Sequence, residues 1–149
     1  MTYGSRDKPV DDNRSIAQAR AELILRERTK ELNCLHAIAR IISQKDLPME
    51  EFLQAVADTL SQAWLYPEIT CARICLGQLA VETARFQETI WSIRADLTVE
   101  GQPSGSIEVF YLAQRPEQFS GPFLQEECLL LETAAKYVSF AIEDRLLRQ

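Results

Sequence analysis

The sequence predicts an α+β fold, in which an antiparallel sheet of four to six strands carries the N- and C-terminal helices on one of its faces. Two observations favour helices at the ends of the chain: residues 15–44 and 123–149 contain neither proline nor glycine and are rich in helix formers. A third favours strands between them, because stretches of residues 69–112 alternate between apolar and polar side chains. Helices and antiparallel strands segregated along a chain are typical of α+β domains.

The N-terminal third divides into two parts. Residues 1–14 are polar and include Gly4 and Pro9, which predicts a disordered lead. Residues 15–48 are predicted to form a linker helix of coiled-coil character. Its apolar positions recur every seven residues in two rows, Leu25, Leu32 and Ala39 in one and Leu35 and Ile42 in the other. The polar first half of this helix has too little apolar surface to be buried in a monomer.

The remaining residues, 49–149, are predicted to form the compact domain. Pro48 favours the start of a second helix over residues 49–64. The alternating stretches predict four strands, at residues 69–76, 79–83, 90–99 and 104–112. The final helix is predicted to begin near Phe123 and to run toward the end of the chain.

Apolar residues at alternate positions predict which face of the sheet is buried against the first, second and last helices. On the third and fourth strands this core face comprises Trp91, Ile93, Leu97, Val109 and Tyr111. The last helix has a matching apolar stripe, which comprises Cys128, Leu131, Ala135, Val138 and Ile142.

Composition and charge limit the classes of partner. The chain has 149 residues, 46% of them hydrophobic, which suits one globular domain. Its net charge of −6 disfavours binding to nucleic acid or to an anionic membrane, both of which attract cationic surfaces. Because the sequence has neither a long apolar run nor an N-terminal signal segment, we expect a cytoplasmic protein.

No motif in the sequence indicates catalysis or a cofactor. A phosphate-binding glycine loop, a nucleophile paired with a base and a zinc-ligand motif are all missing from it. The single histidine, His36, has the sequence context of an ordinary helical residue. Since disulfides are rare in the cytoplasm, we expect four reduced and unpaired thiols, those of Cys34, Cys71, Cys75 and Cys128. The sequence therefore predicts a protein that is not an enzyme.

Polar and aromatic residues on the opposite face of the sheet form a candidate ligand face. Alternation places seven side chains there: Cys71, Arg73, Cys75, Ser92, Arg94, Glu108 and Phe110. Two arginines beside an aromatic ring and a carboxylate could bind a small anion or metabolite. The other interpretation is a solvated face with ion pairs between neighbouring strands.

Several segments resemble GAF domains, and the resemblance covers roughly residues 25–147. Gly105-Ser106-Ile107-Glu108-Val109 resembles the penultimate strand of that family. Phe119-Ser120 resembles the turn that precedes its last helix. The spacing of apolar residues within that helix is also similar, at Leu130-Leu131, Ala134-Ala135, Ala141-Ile142 and Leu146.

The resemblance implies a non-catalytic sensory or regulatory module of a bacterial signalling protein, which relays its state to an output domain such as a kinase. We expect a homodimer in which the first and last helices of two chains form a four-helix bundle. Leu32 and Val138 are expected in that bundle, and Ala134, Ala135 and Ala141 would let helices approach closely. The alternative is a small-metabolite receptor that uses the polar sheet face. Members that bind cyclic nucleotides roof their pocket with a long segment between the second and third strands, whereas here only Ala84–Thr89 connects them.

Overall fold

The computed structural model describes residues 4–148, with side chains from residue 14 onward, and confirms the α+β fold class. Its elements, in chain order, are α1 (Gly4–Ser43), α2 (Met49–Leu60), a short 3-10 turn (Pro67–Ile69), β1 (Thr70–Leu76), β2 (Leu79–Glu82), β3 (Ser92–Val99), β4 (Gln102–Tyr111) and α3 (Gln125–Arg148). Each predicted strand lies within two residues of its expected bounds. None of the described helices contains a stretch apolar enough to span a membrane.

The first helix begins earlier than the sequence predicts. It starts at Gly4 and not near residue 15, so its backbone extends through most of the segment predicted as a disordered lead. Residues 1–3 of that segment lie outside the described residues. Pro9 falls within the range of this helix, where it supplies no backbone N–H donor.

The four strands form one antiparallel sheet in the order β2-β1-β4-β3. Glu100 and Gly101 make the tight turn between β3 and β4, both with positive φ. At Gly105, β4 passes so close to β1 that a Cβ atom there would collide with the carbonyl of Cys75. This close approach explains why β4 carries a glycine inside a strand.

All three helices contribute to a single core on one face of the sheet. The predicted core face is confirmed: Ile93, Leu97, Val109 and Tyr111 are buried, and Trp91 is half-buried. The predicted stripe of α3 packs onto this face, and its buried members are Leu131, Ala135, Val138 and Ile142. From α2 the core receives Phe52, Leu53, Val56, Ala57 and Leu60.

A buried carboxylate joins three parts of this core. The side chain of Glu127 is only 3% exposed, at the start of α3. Its oxygens accept hydrogen bonds from the backbone N–H of Leu124 and of Leu65, both at 2.8 Å, and from the hydroxyl of Tyr111 at 3.3 Å. Glu127 therefore links the first turn of α3 to the segment after α2 and to the end of β4.

Candidate functional site

The register of the sheet brings the seven residues of the candidate ligand face together on the side away from the helices. Arg73, Glu108 and Arg94 lie in one row across β1, β4 and β3. Cys71, Phe110 and Ser92 form the next row, and Cys75 lies opposite Ser106 on the other side. Alternation along the strands thus correctly predicted the shared face.

The connection between β2 and β3 folds over this face, and we call residues 84–91 the covering segment. The ring of Phe86 meets that of Phe110 edge-on, with centroids 5.4 Å apart. The thiol of Cys71 lies 3.5 Å from the carbonyl oxygen of Gln87, and the hydroxyl of Thr89 donates to the carbonyl of Tyr111 at 2.7 Å. The covering segment buries Cys71 and Phe110, which sequence alternation alone would leave exposed.

Arg73 is held at the centre of the face by the chain's own side chains. Its guanidinium contacts the carboxylate of Glu108 at 2.9 Å and that of Glu88 at 2.6 Å. It also lies over the rings of Phe86 and Phe110, at 5.2 and 5.9 Å from their centroids. Burial lowers the pKa of Arg73, but the bonds to the two carboxylates outweigh it and raise that pKa.

The remaining cation of the face is also paired. The side chain of Arg94 is 62% exposed and lies 3.5 Å from the carboxylate of Asp96. An ion pair this exposed contributes little to stability. Of these ion pairs, only Arg73–Glu108 joins neighbouring strands, whereas Arg94–Asp96 lies within β3 and Arg73–Glu88 reaches the covering segment. An incoming anion would have to displace Glu88 from Arg73.

The thiol of Cys71 lacks the surroundings that activate cysteine. Burial raises the pKa of Cys71, and the charge of Glu82 raises it further. A raised pKa keeps a thiol protonated and weakly nucleophilic near neutral pH. Within the described residues, all four cysteines are free and no cluster of His, Cys, Asp or Glu has the geometry of a metal site.

A second candidate site lies on the opposite side of the molecule, where α1 and α3 expose apolar side chains. We call this the α1–α3 surface. The residues on α1 are Ile16, Leu23, Ile24, Leu25 and Leu32, and those on α3 are Leu129, Tyr137, Phe140, Leu146 and Leu147. Their exposed fractions range from 43% to 83%, which is unusual for so many large apolar side chains on two neighbouring helices.

An open groove of about 650 Å³ runs between the two helices within this surface. Its walls are mostly apolar and come from Leu32, Leu35, Ala39, Ile42, Tyr137 and Phe140. His36 also lines it and is exposed. At one end, Lys45 forms an ion pair with Asp144 at 3.2 Å and so connects the end of α1 to α3. The hydrogen bond from Lys45 and the charge of Arg148 hold the pKa of Asp144 below its usual range.

The two rows of the predicted heptad have different surroundings. Leu35 and Ile42 are half-buried beside the core, whereas Leu25, Leu32 and Ala39 are exposed. The expectation that Val138 lies in the four-helix bundle was wrong, although its place in the core stripe of α3 is confirmed. Its side chain is fully buried in the core, because the stripe that contains it faces the sheet. Ala134, Ala135 and Ala141 are also buried, and they permit close packing within the chain.

Sequence reasoning missed the outward residues of α3. Tyr137 and Phe140 are 47% and 69% exposed and lie on the face opposite the core stripe. Their spacing of three residues places them side by side on a helix, so a second apolar stripe was available as a signal.

The first half of α1 stands apart from the core, since every residue from Arg14 to Arg26 is exposed.

No protein-family model matches the chain, and no curated protein matches it.

Proposed function

We propose that this chain is a non-catalytic regulatory module of the GAF type, which forms a homodimer through α1 and α3 and relays its conformational state to an output domain. The α1–α3 surface is the observation that carries the proposal. Support for the GAF type comes from the order of helices and strands and from the resemblances in β4 and α3.

The partner that best suits this surface is a second copy of the chain. The surface combines a groove with a large protruding side chain, because Phe140 is 69% exposed on one of the groove walls. In an isologous dimer, each copy can insert the same side chain into the partner's groove. The heptad positions Leu25 and Leu32 extend the apolar contact along α1 beyond the compact domain.

Dimerisation by these helices would also explain how a module without catalytic groups passes a signal. Small shifts of packed helices at a subunit interface are a common route for conformational change. A helix of 40 residues is about 60 Å long, so it can carry such a shift well outside the compact domain.

Analytical ultracentrifugation at micromolar concentration tests the proposed dimer. We expect wild type to sediment as a dimer, and Leu32→Asp and Phe140→Asp to sediment as monomers, because each places a charge in the apolar contact. Phe119→Asp is the matched control, since Phe119 is 66% exposed in the loop before α3 and lies outside the groove. A wild-type monomer, or a dimer that neither substitution weakens, would contradict the proposal.

The alternative function, a receptor for a small metabolite on the polar sheet face, has weaker support. Arg73 is engaged by Glu88 and Glu108, and the covering segment occupies the space beside Phe110. Native mass spectrometry of the purified protein separates the two proposals. A retained small molecule would favour the receptor, whereas a dimer with nothing bound favours the dimeric module.

A further inference from the structure

The outer edge of β3 presents unpaired backbone groups. The N–H of Tyr111 donates to the carbonyl of Trp91 at 2.9 Å. In an antiparallel pair the backbone N–H and C=O groups of every second residue face the neighbouring strand, so those of Ile93 and Ala95 face β4. Ile93 and Ala95 therefore exchange hydrogen bonds with β4. The backbone N–H and C=O groups of Ser92, Arg94 and Asp96 point the other way, out of the sheet.

Side chains of α3 cap only the far end of this edge. The backbone N–H of Thr98 donates to the hydroxyl of Ser139 at 3.0 Å, and that of Glu100 donates to the carboxylate of Glu143 at 2.8 Å. Within residues 14–148, no backbone or side-chain partner reaches the outward groups of Ser92, Arg94 and Asp96. The edge is thus closed at one end and open at the other.

A groove between β3 and α3 lies beside the open stretch. Its volume is about 450 Å³. Ala95, Ala135 and Ser139 are among its lining residues, and these small side chains leave room for an incoming one. The charged lining residues balance one another, with Arg94 and Asp96 on the strand and Glu132 and Lys136 on the helix.

We propose that this groove binds an extended peptide segment of a partner protein, which joins the sheet as a fifth strand between β3 and α3. Donors and acceptors at every second residue of a strand match another extended backbone. A helix cannot use them, since it satisfies its own backbone groups internally. The small residues of the groove favour a short apolar side chain on the peptide, and the balanced charges favour a segment without large net charge. This surface is separate from the α1–α3 surface, so the inference goes beyond the proposed dimer.

Two substitutions at one position test the proposal. Arg94→Pro removes the outward N–H without removing a hydrogen bond to β4, and proline is tolerated on edge strands. Arg94→Ala is the matched control, because it removes the side chain but keeps the N–H. The probe is a phage-displayed library of random linear peptides, selected against the wild-type protein. We expect an enriched peptide with alternating apolar residues to bind wild type and Arg94→Ala alike, and to bind Arg94→Pro about tenfold more weakly or not at all.

Amide hydrogen exchange supplies a second measurement that does not depend on the folding of Arg94→Pro. In the free wild-type protein, the amides of Arg94 and Asp96 should exchange faster than those of Ile93 and Ala95, and the bound peptide should slow them. The proposal is overturned if no peptide is enriched, if the enriched peptide binds all three proteins equally, or if it leaves the exchange of Arg94 and Asp96 unchanged. The peptide proposal would also be overturned if Arg94→Pro were monomeric while wild type is a dimer. That result would show that the edge of β3 pairs with a second copy of the chain.

Discussion

Glu127 shows how much of this fold depends on a single residue. Its carboxylate accepts hydrogen bonds from the N–H of Leu65 and of Leu124, two backbone donors in half-buried surroundings. A buried donor left without an acceptor costs about 1–3 kcal/mol, more than the bond itself contributes. The reason for a glutamate at this position appears only when the segment after α2 is placed beside α3.

Glu127→Gln should lower the free energy of unfolding by about 1–3 kcal/mol, because one backbone N–H would then face an amide NH2 group. Chemical denaturation measures this loss. Glu126→Gln is the matched control, since the neighbouring side chain is exposed and should change the stability little. Equal losses in the two variants would show that the hydrogen bonds of Glu127 are not responsible.

The difference in stability between wild type and Glu127→Gln should also decrease as the pH rises. Burial raises the pKa of Glu127 above the ordinary glutamate value of 4.5, and the hydrogen bonds from Leu124 and Leu65 offset this only in part. Above pH 4.5 the folded state therefore holds more protons on this group than the unfolded state, and wild type loses stability as the pH rises through the folded pKa. The difference in stability between wild type and Glu127→Gln should be larger near pH 5 than near neutrality. A difference that grows with pH would mean that the hydrogen bonds outweigh burial.

At the scale of elements, the two faces of the sheet should respond differently to truncation. Leu97 is fully buried under the helices, so Leu97→Ala should lower the free energy of unfolding by about 2–5 kcal/mol. The side chain of Arg94 on the outer face is 62% exposed, and Arg94→Ala should change the free energy of unfolding by no more than about 0.5 kcal/mol. Urea denaturation of both variants measures the contrast. Similar losses at the two positions would show that the outer face is also part of the core.

The covering segment should protect the thiol of Cys71. We expect four free thiols in the denatured, unreduced protein and slow labelling of Cys71 in the native state, because its side chain is 1% exposed. Phe86→Ala should speed that labelling, since it removes the ring that packs on Phe110. Ile90→Ala is the control in the same segment, where the side chain is 87% exposed. Mass spectrometry of the labelled peptides gives both rates, and equal rates in the two variants would rule out a protective role for Phe86.

Local periodicity was enough to predict most elements, and its failures have a common physical cause. The strands and the core face follow from alternation, which depends only on the residues of each strand. The covering segment has no periodic pattern, so nothing in the sequence placed Phe86 and Glu88 against Arg73. Val138 was assigned to the dimer contact although it belongs to the apolar stripe of α3 that was also predicted to pack on the sheet. The outward residues Tyr137 and Phe140 were missed, and the position of the sheet is what distinguishes the two sides of the helix.

For the whole molecule, the apolar surface left uncovered by one chain is the property that most needs a partner. Leu32, Tyr137 and Phe140 are exposed along one groove between α1 and α3, and every residue of α1 from Arg14 to Arg26 is exposed. Helices in proteins gain most of their stability from tertiary packing, so contacts with a second copy would stabilise α1 as well as cover the surface. The proposed dimer would therefore couple folding to association.

This coupling predicts that thermal stability depends on protein concentration. A dimer that dissociates on unfolding gains stability by mass action as its concentration rises, whereas a monomer does not. The unfolding midpoint of wild type, followed by circular dichroism, should therefore increase over a hundredfold rise in concentration. The midpoint of Phe140→Asp should stay constant and lie below that of wild type, because the charge prevents association. Phe119→Asp should retain the wild-type dependence, since its side chain is exposed away from the groove. A wild-type midpoint that is independent of concentration would mean that α1 and α3 are stable without a partner.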